Sequence, residues 1–221
     1  MQTYFEGLAD STGRQHPWLH STINPDWKYY DFKKNPEMIS EVLEDFKPWA
    51  HYDSVQLFYD MLRWVNGPES KFETSDCGFR GPSENQQKDG WPKEMVCSGG
   101  LFVFFRNLQY NLSDESKSWK ENHPGGGSLA KPYAQSKYTQ WLINQSQQLI
   151  RQSKHDWACI GLGLISIMFT EAPVPENEQL GYAVVYRFWA WGDSEKETMT
   201  SFNYVVDTLF TIFKQLSAQA T

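Results

Sequence analysis

The chain has 221 residues, a formal net charge of −7 and a pI near 5.2. Hydrophobic residues make up 40% and charged residues 21%, close to the averages of folded globular chains, so an ordinary domain with a core is expected. Basic residues are scattered, with Lys33-Lys34 the longest run, whereas a phosphate backbone needs a concentrated positive face, so nucleic acid is not an expected partner.

The length fits one domain, and no long polar linker divides residues 1–221. The surplus is aromatic, 16% with ten Trp. Trp and Tyr each bury a large surface and carry one polar handle, which suits a wide core or an aromatic pocket or partner surface. The apolar run 159–169 is shorter than the ~20 residues of a membrane span, so no membrane partner is expected. Residues 1–15 lack the charged and apolar regions of a secretion signal. Cys77, Cys97 and Cys159 form no CxxC pair, which fits free thiols in a reducing compartment and a cytoplasmic location.

Residues 1–34 show no period and read as an irregular, aromatic-rich N-terminal arm ahead of a core over 35–221. A helix follows. Asn35 is a good cap, Pro36 suits the first helical position, Met38, Ile39, Val42, Leu43 and Phe46 share a face, and Pro48 stops it. A second helix starts at Asp53 or Ser54, carries Val55, Phe58, Leu62 and Val65, and ends at Asn66-Gly67-Pro68, where Gly67 can turn left-handed. Strands are expected over 71–80 and 100–108, with a polar loop over 81–98 and a second long loop over 111–133. A helix over 134–153 follows, then strands over 158–170 and 180–191 separated by a turn at 171–178. The last helix spans 195–216. Ser194 to Glu197 resembles a capping box, and Met199, Phe202, Val205, Val206, Leu209, Phe210, Phe213 and Leu216 form its buried face. Adjacent strands without an intervening helix favour antiparallel pairing. The expected fold is therefore α+β, a mostly antiparallel sheet of four or more strands with helices on one face. The repeated strand-strand-helix order suggests a duplicated unit.

The phosphate-binding motifs fail. Gly125 to Lys131 lacks the glycine directly before the lysine, and Gly161-Leu162-Gly163 lies within a strand, where glycine marks close packing or a bulge. No motif names a cofactor. His16 and His20 have a helical metal-ligand spacing, but Pro17 biases His16 away from helix, and no metal site is assigned.

The segment Phe72 to Pro82 is the most unusual. It reads as a strand yet holds two acids, a cysteine and an arginine. Simple alternation places Glu73, Ser75, Cys77 and Phe79 on one face and Phe72, Thr74, Asp76 and Arg80 on the other. Asp76 and Arg80 are then about 13 Å apart along the strand, within reach of one ligand. Arg106 and Arg187 stand among aromatics in other strands, where an arginine must find a carboxylate, a ring face or water. The ordinary account is a salt-bridge network through the sheet. The functional account places Asp76, Arg80, Arg106 and Arg187 around one cavity floored by the sheet. Asp76 would be the catalytic proton acceptor if buried, and Arg80, Arg106, Arg187 and Trp189 would hold a small organic, anionic ligand. Cys77 faces the other way and reads as core. Two functions follow: a small-molecule enzyme or binding protein with an aromatic-lined, arginine-containing pocket, or a protein-protein interaction module of inhibitor or immunity type with an acidic, aromatic surface. Trp189 and Trp191 in a concavity favour the first, and Trp18, Trp27 and Trp49 on an exposed patch the second.

The cysteine reading has a direct check. Thiol titration of the unfolded, unreduced protein should count three groups, and a count of one would reveal a disulfide.

Overall fold

The computed structural model describes residues 1–9, 15–16, 30–112, 136–169 and 179–220. Its strands are β1 (Gln2–Ala9), β2 (Gln15–His16), β3 (Phe72–Glu84), β4 (Met95–Phe105), β5 (Ala158–Phe169) and β6 (Gln179–Gly192). They form one mixed, mostly antiparallel sheet in the order β1-β5-β6-β4-β3, with the two-residue β2 also paired to β5. The β3–β4 and β5–β6 hairpins join through an antiparallel β4–β6 ladder, and β1 lies parallel to β5. The helices are α1 (Ile39–Val42), α2 (Asp53–Asn66), α3 (Lys137–Gln152) and α4 (Glu195–Gln219). α2, α3 and α4 share one continuous core with alternate residues of β3 to β6, including Phe72, Leu101, Leu162, Tyr186 and Phe188. The fold is α+β, with helices packed against one face of the sheet. The duplication is not confirmed. α4 packs on β6, but α3 packs on α4, β1 and β6 and not chiefly on the β3–β4 hairpin that precedes it.

α4 forms where expected because its cap and its stripe agree. The Ser194 hydroxyl accepts from the Glu197 N–H at 3.2 Å, and the Glu197 carboxylate accepts from the Asp193 N–H at 3.0 Å. This is a capping box displaced by one residue on the return side. Seven of the eight expected core positions are buried. Phe210 is half-buried, at the border where its ring meets Trp64 at 5.9 Å and the Lys214 ammonium at 3.7 Å.

Four expectations need correction. The first helix is broken into a 3-10 turn at Pro36–Met38, the short α1, and a second 3-10 segment at Glu44–Trp49 that contains Pro48. Leu43 leaves the helical region (φ −84°, ψ 75°), which ends α1 five residues before Pro48. The break delivers Phe46 between the rings of Phe58 (4.6 Å) and Phe79 (4.7 Å). Gly67 ends α2 in an extended conformation (φ −75°, ψ 168°), not a left-handed one. Within the N-terminal arm, expected to be irregular, Gln2–Ala9 is strand β1, ordered by its ladder to β5. Finally, the expected loop over 81–98 is strand at both ends. β3 runs to Glu84 and β4 starts at Met95, leaving a tip over 85–94. The Asn85 amide holds that tip by donating to the carbonyls of Trp91 (2.7 Å) and Lys93 (3.0 Å). Most of the 111–133 loop, the 171–178 turn and residues 10–14 and 17–29 of the arm lie outside the described residues.

The tip is tied down on the sheet's other hairpin. Trp91 stacks on Trp191 with centroids 3.8 Å apart and planes 4° from parallel. The Lys93 ammonium meets Asp193 (2.6 Å) and Glu197 (2.8 Å) and lies 4.8 Å from the Trp157 ring.

The α4 packing generates a stability prediction. Phe202→Ala removes a fully buried ring and should cost about 3–5 kcal/mol, whereas Phe210→Ala should cost about 1–2 kcal/mol. Urea denaturation measures both, and equal losses would contradict this division.

Candidate functional site

The face of the sheet away from the helices is built by one extra residue. Thr74 pairs with Val103 and Asp76 with Phe102, so Ser75 is a bulge with no partner position of its own. Before it, Phe72 enters the main core, Thr74 bonds Asn66 of α2, and Glu73 points away. After it, Cys77 and Phe79 pack on the main core, and Asp76, Gly78 and Arg80 point away. The simple alternation that grouped Glu73 with Cys77 and Phe79 is therefore wrong by one step. Asp76 and Arg80 do share a face.

Register then lines up three rows across this second face. The middle row is Gly78, Gly100, Arg187, Gly161 and Tyr4. On one side lie Asp76, Phe102, Val185 and Gly163, and on the other Arg80, Ser98, Trp189, Cys159 and Gln2. Two neighbouring glycines, Gly78 and Gly100, leave the β3–β4 end of the middle row without side chains. The result is an open depression of about 290 Å³, bordered by Asp76, Phe102, Val185 and Arg187. A Cβ on Gly78 would meet nothing within 4 Å, whereas Gly161 is covered by the Tyr4 ring, 2.8 Å from where its Cβ would stand. Beyond the depression, Phe104, Ile165, Ile167, Phe169, Ala183 and Val185 form a smaller apolar cluster.

Arg187 is the cation of the depression and is exposed. Its Nη1 lies 3.2 Å from Oε2 of Glu6, and the Tyr4 hydroxyl donates to Glu6 Oε1 at 3.0 Å. Partial burial, followed by the Glu6 hydrogen bond, pushes the Tyr4 phenol above its ordinary value. Trp189 sits beside this group, half-buried, with its ring 6.0 Å from that of Tyr4. Asp76 is also exposed and stands at the rim, without the burial on which a proton-accepting role depended.

The structure thus brings Asp76 and Arg187 to one depression, with Cα atoms about 12 Å apart by strand spacing. Arg80 and Trp189 lie on the same face one row away and do not border it. Arg106 is elsewhere. It lies six positions beyond Gly100, about 20 Å along the strand direction. Its Nη2 donates to the carbonyls of Asn66 (2.9 Å) and Gly67 (2.7 Å), satisfying the end of α2. The expected four-residue cluster is therefore not formed. Sequence reasoning missed Tyr4 and Glu6, for which the alternation Gln2-Tyr4-Glu6 was the available signal.

The other candidates fall into place. Burial pushes the Cys77 and Cys97 thiols well above their usual range and the Cys159 thiol up to about 11, which suppresses their thiolate forms. Trp191 is buried under Trp91, and Trp49 packs against Gly81. Trp18 and Trp27 lie outside the described residues, as does His20, and His16 belongs to β2 rather than to a helix. Among the described residues no group of three His, Cys, Asp or Glu could hold a metal ion. Comparisons with protein-family models, curated proteins and solved structures find no match.

Neighbouring glycines on opposite faces separate floor from core. Gly78→Ala should leave stability within about 0.5 kcal/mol of the parent. Gly99→Ala, whose Cβ would stand 2.4 Å from the Gly78 carbonyl oxygen and 2.6 Å from the Phe188 ring, should lose about 1–3 kcal/mol. Chemical denaturation of the two variants decides, and a Gly78→Ala loss as large as that of Gly99→Ala would mean the floor is not open.

Proposed function

We propose that the protein binds a small organic molecule in the glycine-floored depression on the face of the sheet away from the helices. One observation carries this reading. Gly78 and Gly100 withhold side chains from the floor, while Asp76 and Arg187 place opposite charges at its rim. A strand serving packing alone favours β-branched or aromatic residues at such positions, and glycine in a strand marks a place where something approaches the backbone closely. Phe102 and Val185 supply an apolar wall, giving the mixture of apolar lining and a few placed polar groups that ligand sites use. The volume lies just below the roughly 300–1,000 Å³ of drug-sized pockets, so the ligand is small. All these residues stand on paired strands, which hold their geometry in advance of binding.

A protein partner is the second reading, and the edge strand favours it. Tyr4 and Phe5 on β1 are 43% and 44% exposed, at a sheet edge that an incoming strand can extend.

Amide NMR with a panel of small organic fragments separates the two. The small-molecule reading expects shifts at Gly78, Gly100, Phe102 and Val185, and Gly78→Leu should abolish them with the fold intact. Shifts confined to β1, or binding unchanged in Gly78→Leu, would contradict it.

A further inference from the structure

We infer that two copies of this chain associate through β1, whose outer edge pairs antiparallel with β1 of the second copy about a two-fold axis at Tyr4. The inference names the partner for this edge and is independent of the small-molecule reading.

The two edges of the sheet are built differently. The sheet ends on β3 at one side and on β1 at the other. β3 carries the devices that keep an edge from pairing: the Ser75 bulge, a second irregularity between Arg80 and Ser83, and Pro82. Phe46 and Trp49 also cover it, reaching Phe79 and Gly81. β1 is less guarded. Its sequence, Gln-Thr-Tyr-Phe-Glu-Gly-Leu-Ala, holds no Lys, Arg or Pro, and its one charge, Glu6, is taken up by Arg187 of the same sheet. An irregularity between Phe5 and Leu8 leaves residues 2–5 as the regular stretch. Among the described residues no strand pairs with its outer side. Two of the three large apolar side chains exposed among the described residues, Tyr4 and Phe5, stand on it. An unguarded edge with exposed aromatics is a template for another strand.

The strand is complementary to itself, which identifies the occupant as a second copy. A two-fold axis normal to the sheet sets Tyr4 opposite Tyr4 of the second copy, Thr3 opposite Phe5 and Gln2 opposite Glu6. Opposed residues then share a face, as antiparallel pairing requires. Thr3 and Phe5 lie on the helix side, next to Ile160 and Leu162 of the core, and Gln2, Tyr4 and Glu6 lie on the other. No like charges meet, and the two Tyr4 rings form a cross-strand aromatic pair. The two sheets become one, with the helices of both copies on the same side. Such an interface is isologous and closes at two copies. Its short ladder makes the dimer a weak, concentration-dependent one.

The test is analytical ultracentrifugation of the full chain at rising concentration. The mass should climb from 25.7 kDa toward twice that value through the micromolar range. Phe5→Lys, a change at an exposed side chain, should hold it at one chain, and so should Tyr4→Lys, which sets two ammonium groups face to face. Register has its own readout. Tyr4→Cys should cross-link to itself under mild oxidation, because directly opposed residues of antiparallel strands lie within disulfide reach. Gln2→Cys, whose two copies stand far apart in this register, should not, and neither should the parent with its three native thiols. A parent that stays a single chain, a dimer that survives both lysine variants, or a failure of Tyr4→Cys to cross-link would each overturn the inference. A single-chain parent whose β1 amides shift on addition of an unrelated extended peptide would also overturn it, and would assign the edge to a different protein. None of these outcomes touches the depression, whose reading is tested at Gly78 and Gly100.

Discussion

Every strand side chain must point to one of two faces, and in this protein the helices claim one of them. Phe58 and Leu62 of α2, Leu142 and Ile150 of α3 and Phe202, Leu209 and Phe213 of α4 meet alternate residues of four strands in one core. Burial of aliphatic and aromatic surface on this scale fixes which phase of each strand faces inward, because a slip of one residue would expose the whole set. The opposite phase is then free to carry residues that a core would reject. Asp76, Arg80, Arg187, Gly78 and Gly100 are all of that phase. The depression is the remainder left when the core has taken its half of the sheet.

The Ser75 bulge makes that remainder coherent. Without it, β3 would bring Asp76 to the helix side and Ser75 and Cys77 to the other, and the depression would lose its carboxylate. The stacked Trp91 and Trp191 rings, with Lys93 bridging Asp193 and Glu197, fasten the far end of the β3–β4 hairpin to β6 and α4. The strand pair that floors the depression is therefore fixed at its tip as well as along its ladder. At the other end, the Asn111 side chain accepts from the Phe105 N–H at 2.7 Å and donates to the Phe105 carbonyl at 2.8 Å, closing β4 as a neighbouring strand would.

Much of this was legible in the residues because local and global preferences agree. The α2 and α4 stripes, the Ser194 cap and the β5 and β6 runs could be read from spacing alone. What escaped reading depends on partners distant in the chain. A bulge is defined by the opposite strand, so the phase of Glu73 relative to Asp76 could not be seen within β3. The strand character of β1 comes from its ladder to β5, and its Glu6 finds Arg187 only once both strands join the sheet. Arg106 shows the reverse error. An arginine among aromatics suggested a site, yet its position one residue past the strand end lets it satisfy the last carbonyls of α2. Cys77 was read correctly as core because a strand carries its own neighbour to the other face.

The central claim is that the floor at Gly78 is open to solvent while Cys97 and Cys159 are buried and the half-buried Cys77 packs on the core side of its strand. The most direct measurement is the labelling rate of Gly78→Cys in the native protein with a small thiol reagent. The account predicts rapid modification of this position, slower modification of the half-buried Cys77, and protection of Cys97 and Cys159 until the protein unfolds. Protection of the introduced thiol to the same degree as Cys97 and Cys159 would contradict it.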